Sequence, residues 1–190
     1  MRCFVAVDLP ENVKSRVHHA FEPLRQLGLI RGRFVDRDNL HLTLRFLGEL
    51  GEEEITSVQK VLENVNHSKF DAEISDIGAF PSESYIKVLW VGVNAKQDKL
   101  KELHSSVENN LDKLGIGKSE KTERGFSNHI TVARINTIVK SKSNKNLFIE
   151  KLKNLKVPRE KFEVDKISLI KSELTKQGPI YRTLKEFKLK

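Results

Sequence analysis

Apolar positions along this chain follow two alternating rhythms, one suited to strands and one to helices. Residues 3 to 9 (CFVAVDL) form an apolar run of strand length, and Pro10 after it suits the first turn of a helix. Val13, Val17, Ala20, Phe21, Leu24 and Leu27 then recur at helical spacing, with Pro23 expected to kink that helix or end it early. A glycine-rich turn, GLIRGR at 28 to 33, leads into residues 40 to 47, whose alternation predicts a strand. Ile55, Val58, Val61, Leu62 and Val65 mark one face of a second helix.

The second half restarts the same order. YIKVLWVGV at 85 to 93 predicts a strand, and Leu100, Leu103, Val107, Leu111 and Leu114 predict a helix, with Gly115 and Gly117 near its end. NHITVARI at 128 to 135 predicts another strand. Further strands are expected at 71 to 80, 162 to 170 and 180 to 187, and a helix at 147 to 155. Strand, helix, turn and histidine-bearing strand thus occur twice, at about 1 to 67 and 85 to 135, with C-terminal strands completing the sheets. The expected fold is α+β: one two-lobed domain over 1 to 190, pseudo-two-fold, with antiparallel-rich sheets, helices outside and a central cleft.

Composition narrows the class. With 38% hydrophobic and 32% charged residues the chain should fold as a globular domain. No apolar run approaches the length of a membrane span, and Asp8 interrupts the N-terminal apolar stretch, so 3 to 9 reads as a strand and not a signal peptide. The lone Cys3 excludes an internal disulfide and fits a reducing cytoplasm. A formal charge of +8 favours a polyanionic partner, although lysine-rich stretches such as KSKSNK at 140 to 145 also suit solvated loops.

The chemistry concentrates in HLTLRFLG, 41 to 48, and HITVAR, 129 to 134. In a strand, positions i and i+2 share a face, so His41 and Thr43 project together, as do His129 and Thr131, while Leu42, Leu44, Ile130 and Val132 face a core. Two imidazoles meeting across a cleft could act as acid and base at one phosphodiester near neutral pH, with threonine hydroxyls donating to its non-bridging oxygens. Two other readings stand beside this one. The histidines could ligate a metal, although neither motif supplies a second ligand at i+2 or i+4 and threonine is a poor zinc donor; or they could satisfy core hydrogen bonds. By strand parity Arg45, four residues after His41, shares the cleft face and is a candidate for phosphate or backbone binding, or else an exposed rim cation.

RCFVAVDLP, NLHLTLRFLGE, NHITVAR and SELTKQGPIYRTL, which together extend over nearly the whole chain, resemble the two-histidine (2H) phosphoesterase superfamily. Within it they resemble the RNA 2',3'-cyclic phosphodiesterase branch, also called 2'-5' RNA ligase. The resemblance implies metal-independent hydrolysis of a terminal 2',3'-cyclic phosphate to a 2'-phosphomonoester without a cofactor. His41 would be the proton donor and His129 the proton acceptor, with 2'-5' ligation as the reverse reaction. It also implies RNA ends or nucleotides as partners, no membrane, a monomer, and Arg134 as a phosphate contact. An unbroken strand would turn Arg134 away from His129, so a bulge or the strand's end must re-aim it.

The same resemblance makes Phe34 a candidate for stacking on a base, with core packing as its other reading, and sets Ser172 and Tyr181 along the cleft. Trp90 and Phe4 read as core. Asn128 departs from the family's common proline, which affects entry into the strand and not the chemistry. Two competing functions remain: a noncatalytic RNA- or nucleotide-binding protein of the same fold, and a hydrolase of another small cyclic phosphate. Retention of both histidines argues against the first, because binding alone favours permanently charged Arg or Lys.

Overall fold

The computed structural model describes residues 1–82, 85–116, 126–139, 141–176 and 178–190; Gly117, expected near a helix end, lies outside them. The chain opens with β1 (Arg2–Asp8), α1 (Glu11–Ala20), α2 (Glu22–Gln26), β2 (Ile30–Phe34), β3 (His41–Glu49) and α3 (Glu52–Leu62). It continues with β4 (Phe70–Ser82), β5 (Tyr85–Ala95), α4 (Lys99–Asp112), β6 (His129–Ile138) and α5 (Lys142–Asn154), and ends with β7 (Lys161–Val164), β8 (Lys166–Leu174) and β9 (Pro179–Lys188).

These strands join in the order β7-β4-β5-β6-β3-β1-β8-β9, with β2 added alongside β6. Every pairing is antiparallel. Two strand groups, one around β3 and β1 and the other around β6 and β5, are linked by a single ladder pair, Leu42 with Ile130. The two expected sheets are therefore halves of one sheet. Connectivity interleaves them: β4 follows the first histidine strand yet pairs with β5, and β8 follows the second yet pairs with β1.

One face of this sheet carries the helices. Cys3, Val5 and Val7 from β1, Leu42 and Leu44 from β3, and Ile130 and Val132 from β6 pack there with Ile55, Val58 and Leu62 of α3 and Leu100, Leu103, Val107 and Leu111 of α4. Those helical positions are the apolar stripes read from the sequence, and their burial supplies the main drive for docking each helix. On the opposite face Phe4, Ala6 and Ile170 form a small separate cluster with Tyr181 beside it. That second face is the open one.

Three local expectations are corrected. GLIRGR is not simply a turn: Gly28 takes a left-handed φ of 62°, after which the chain extends as β2 against β6. The strand expected over 162 to 170 is two, because the chain passes at Asp165 from β7, paired with β4, to β8, paired with β1. Much of the lysine-rich segment is helical, since the Ser141 hydroxyl accepts a hydrogen bond from the Asn144 amide and caps α5. Pro23 acts as expected: α1 ends before Phe21, and α2 takes the proline in its first turn.

Candidate functional site

Residues 41 to 49 and 129 to 137 show the same sequence of partly buried, buried and exposed positions. Two adjacent buried positions interrupt the alternation in each, Leu44 with Arg45 and Val132 with Ala133. The cause is a bulge. Against β1, Thr43 pairs with Ala6 but Arg45 with Val5, leaving Leu44 extra. Against β5, Thr131 pairs with Trp90 but Ala133 with Leu89, leaving Val132 extra. An extra residue reverses which face the following side chains take.

Arg134 and Arg45 exchange their expected orientations as a result. Arg134 lines the open cleft, as does Phe46, its counterpart in the first copy. Arg45 is 4% exposed and faces the helices. Its Nη1 donates to Glu108 Oε2 at 2.6 Å and Asp112 Oδ1 at 2.9 Å, and its Nη2 to the Ile116 carbonyl at 3.2 Å. Its expected place on the cleft face is thus corrected: Arg45 ties α4 to the back of β3.

Each histidine is oriented by the same device. His41 Nδ1 donates to the Asn39 carbonyl at 2.8 Å, and His129 Nδ1 to the Ser127 carbonyl at 2.8 Å, in both cases two residues earlier. Holding the proton on Nδ1 leaves Nε2 to act toward the cleft. His41 Nε2 lies 3.0 Å from the Thr43 hydroxyl. The Leu42–Ile130 pair puts Thr131 across from His41 and His129 across from Thr43 by antiparallel count, with all four on the face opposite Leu42 and Ile130.

Aromatic rings wall both imidazoles. The His41 ring centroid is 4.8 Å from Phe4 and 5.3 Å from Tyr181. The His129 centroid is 5.2 Å from Phe80 and 6.2 Å from Trp90. Trp90 fits only because Gly78 is bare: a Cβ there would come within 2.0 Å of the indole. Burial pushes both histidines below the ordinary imidazole range, and the Arg134 guanidinium adds to the push on each. The charges around them differ, and Lys14, which pushes His41 down, has no counterpart acting on His129. Asp8, opposite His41 in the β1–β3 ladder and held by Lys14 at 2.9 Å, pulls His41 back up, whereas no carboxylate is among the causes acting on His129.

Beside the His41 wall is a cleft of about 540 Å³ whose lining includes Phe4, Phe46, Arg134, Ser172, Tyr181, Arg33 and Arg2. Ser172 and Tyr181 are cross-strand partners, and both line it. Phe34 is elsewhere. It pairs with Ala133, packs against the helix-side core and lies under the Arg25 guanidinium at 5.1 Å, so its expected base-stacking position is corrected. Among the described residues no group of three His, Cys, Asp or Glu side chains could hold a metal ion, and no helix is long and apolar enough to cross a membrane.

Sequence reasoning missed the walls and the carbonyl props. Phe4 and Trp90 read as core, and Phe80 reaches His129 only through the pairing of β4 with β5. A carbonyl two residues before a histidine carries no side-chain signature.

Comparison with known proteins gives a consistent result. The family model described as LigT like Phosphoesterase matches the chain twice, over 7–90 and 91–181. The RNA 2',3'-cyclic phosphodiesterase of Methanocaldococcus jannaschii is 35% identical over 187 residues, covering 98% of this chain and 100% of the relative. The protein of that name from Methanothermobacter thermautotrophicus is 32% identical, covering 100% and 99%. The crystal structure of TT0787 of Thermus thermophilus superposes with a TM-score of 0.75 at 27% identity, covering 100% of this chain and 98% of that one.

Proposed function

The chain belongs to the LigT-like phosphoesterase family, and from that premise we propose that it hydrolyses the 2',3'-cyclic phosphate at an RNA end to a 2'-phosphomonoester. One observation carries the reading: two histidines with the same carbonyl prop stand on one face of the joined sheet, each holding a proton on Nδ1 and leaving Nε2 for the reaction. Paired titratable groups whose surroundings separate their proton affinities divide into acid and base. The family resemblance gives His41 the acid role and His129 the base role, and the Asp8 carboxylate acting on His41 favours its protonated form.

In the reaction so assigned, His129 Nε2 takes a proton from water as the water oxygen bonds to phosphorus. The bond from phosphorus to O3' breaks, and His41 Nε2–H protonates the departing O3'. Thr43, Thr131 and Arg134 hold the non-bridging oxygens, where charge gathers in the transition state. His41 turns from the Thr43 hydroxyl to the leaving oxygen, which frees that hydroxyl for phosphate. With a 5'-hydroxyl in place of water, the same steps join it to the 2',3'-cyclic phosphate end through a 2'-5' linkage: the new P–O bond forms as the P–O3' bond breaks, and no ATP is used.

Both motifs lie in one chain, so the site is complete in a monomer. The free, buried Cys3 supports a reducing cytoplasmic setting.

An oligonucleotide ending in 2',3'-cyclic phosphate, incubated with the protein in EDTA, tests the reading. Wild type should yield a 2'-phosphate end, and His41→Ala and His129→Ala should each lose about 100-fold or more in rate. Tight binding of the intact substrate without turnover would instead identify a noncatalytic RNA-binding protein. Full activity in both variants would remove the two-histidine mechanism.

A further inference from the structure

Arg33 on β2 and Arg134 on β6 are direct partners in their antiparallel ladder, and both line the cleft. Side chains so placed rise from Cβ atoms about 5 Å apart, where two like charges repel. Among the described residues neither guanidinium has an ion pair or a hydrogen bond. Arg16, Arg25, Arg37, Arg45 and Arg159, by contrast, each take a carboxylate. An arginine pair that faces one cleft with no carboxylate partner among the described residues is a site for anions.

The two arginines are not equivalent. The Arg134 charge reaches both histidines, whereas Arg33 does not figure among the charges acting on either. Arg33 instead lies across the turn between β8 and β9. A Cβ at Gly178 would come within 2.6 Å of its Nη1 and 3.3 Å of its Cζ, and Gly178 holds a φ of 145° that other residues rarely take. The bare Gly178 thus leaves room for the Arg33 guanidinium on the wall that it forms with Pro179 and Tyr181. Running away from the histidines, the cleft therefore presents one guanidinium close to the reacting centre and a second beyond it.

We propose that Arg33 binds the internucleotide phosphate on the 5' side of the terminal nucleoside, and so makes RNA ends, rather than cyclic mononucleotides, the preferred substrate. This rests on the cyclic phosphodiesterase reading for what occupies the Arg134 end. Position favours the next phosphate along the chain: Arg134 is committed to the scissile group, and Arg33, its partner on the neighbouring strand, is left for another phosphate. Tyr181 and Phe4, which pack against His41 and line the cleft together with Arg33, offer aromatic surface to the intervening nucleoside.

The test compares a dinucleotide ending in 2',3'-cyclic phosphate with the corresponding nucleoside 2',3'-cyclic phosphate, which lacks the upstream phosphate. Wild type should favour the dinucleotide. Arg33→Gln should lose about tenfold in kcat/KM on the dinucleotide, mostly through KM, and less than about twofold on the mononucleotide. Arg159→Gln, with the same charge change on a distant surface, should alter neither. A parallel arm measures equilibrium binding of the dinucleotide and mononucleotide 2'-phosphate products, which needs no turnover. There Arg33→Gln should abolish the dinucleotide's advantage and reduce its salt slope by about 0.7.

Equal losses on both substrates, or no loss on either, would overturn the proposal. If wild type cleaves neither substrate, the cyclic phosphodiesterase reading fails, and the binding arm still decides for or against Arg33.

Discussion

Leu42 on β3 pairs with Ile130 on β6, and both side chains are almost wholly buried on the helix face. This pair joins the two halves of the sheet at the point where the motif histidines flank it. A residue on the core side thereby sets the spacing of groups on the cleft side. Leu42→Ala should cost about 2–5 kcal/mol of stability through the cavity it leaves. In the folded fraction it should lower kcat more than it raises KM, because the loss falls on alignment of the acid and base. Denaturant melts together with steady-state kinetics check both outcomes.

Arg134 adds positive charge near both histidines, so its removal has a definite sign. Both imidazoles lie below their ordinary value of 6.5 in the free protein. The bell-shaped profile of kcat/KM should therefore peak on the acid side of that value. Arg134→Gln should shift both limbs toward higher pH while reducing the maximum. Asp8→Asn should move only the descending, His41 limb, and move it lower, since it removes the carboxylate that favours protonated His41. Profiles at constant ionic strength, with NMR titration of the imidazole protons, would show unmoved limbs if these charges do not act on the histidines.

The same shifts govern stability. His18, His41, His104 and His129 all have folded values lowered from 6.5, chiefly by burial. The unfolded chain then takes up protons first as pH falls, so this contribution is fully present above about 6.5 and is lost on descending through the folded values. Stability against urea should decline between pH 7 and pH 5. His41→Gln should flatten the decline, and an unchanged slope in that variant would contradict the assignment.

Arg45 should matter for folding and not for substrate. Removing it takes from Glu108, whose side chain is 15% exposed, the guanidinium 2.6 Å from its carboxylate. Arg45→Ala should destabilise by about 3–5 kcal/mol, the range for breaking a buried ion pair. KM measured at a temperature where the variant stays folded should be unchanged. A rise in KM with normal stability would return Arg45 to the phosphate site.

Gly78 tests the wall behind His129. Its backbone tolerates any residue, so Gly78→Ala acts through the clash with Trp90 alone. The variant should lose activity by displacing the indole from His129, with a blue or red shift in the fluorescence of the single tryptophan. Gly115→Ala, at a left-handed position with open space around it, should cost about 1 kcal/mol and leave activity intact.

Much of this was written locally. Helical stripes such as Leu100, Leu103, Val107 and Leu111, and the strand alternation around His41 and His129, follow from periodicities of one element, which neighbouring residues alone specify. Hence the sequence by itself determined the duplicated order of elements, the paired His-x-Thr positions and the shared face within each pair. Tertiary structure decided what depends on partners far along the chain. Bulges at Leu44 and Val132 exist only against β1 and β5, and they send Arg134 into the cleft and Arg45 out of it. The split at Asp165 exists because β7 and β8 find different neighbours. Phe80 against His129, Asp8 beside His41 and Arg33 opposite Arg134 are likewise products of strand register. A side-chain period of two reports the face of a strand, but it carries no count of residues in the strand next to it.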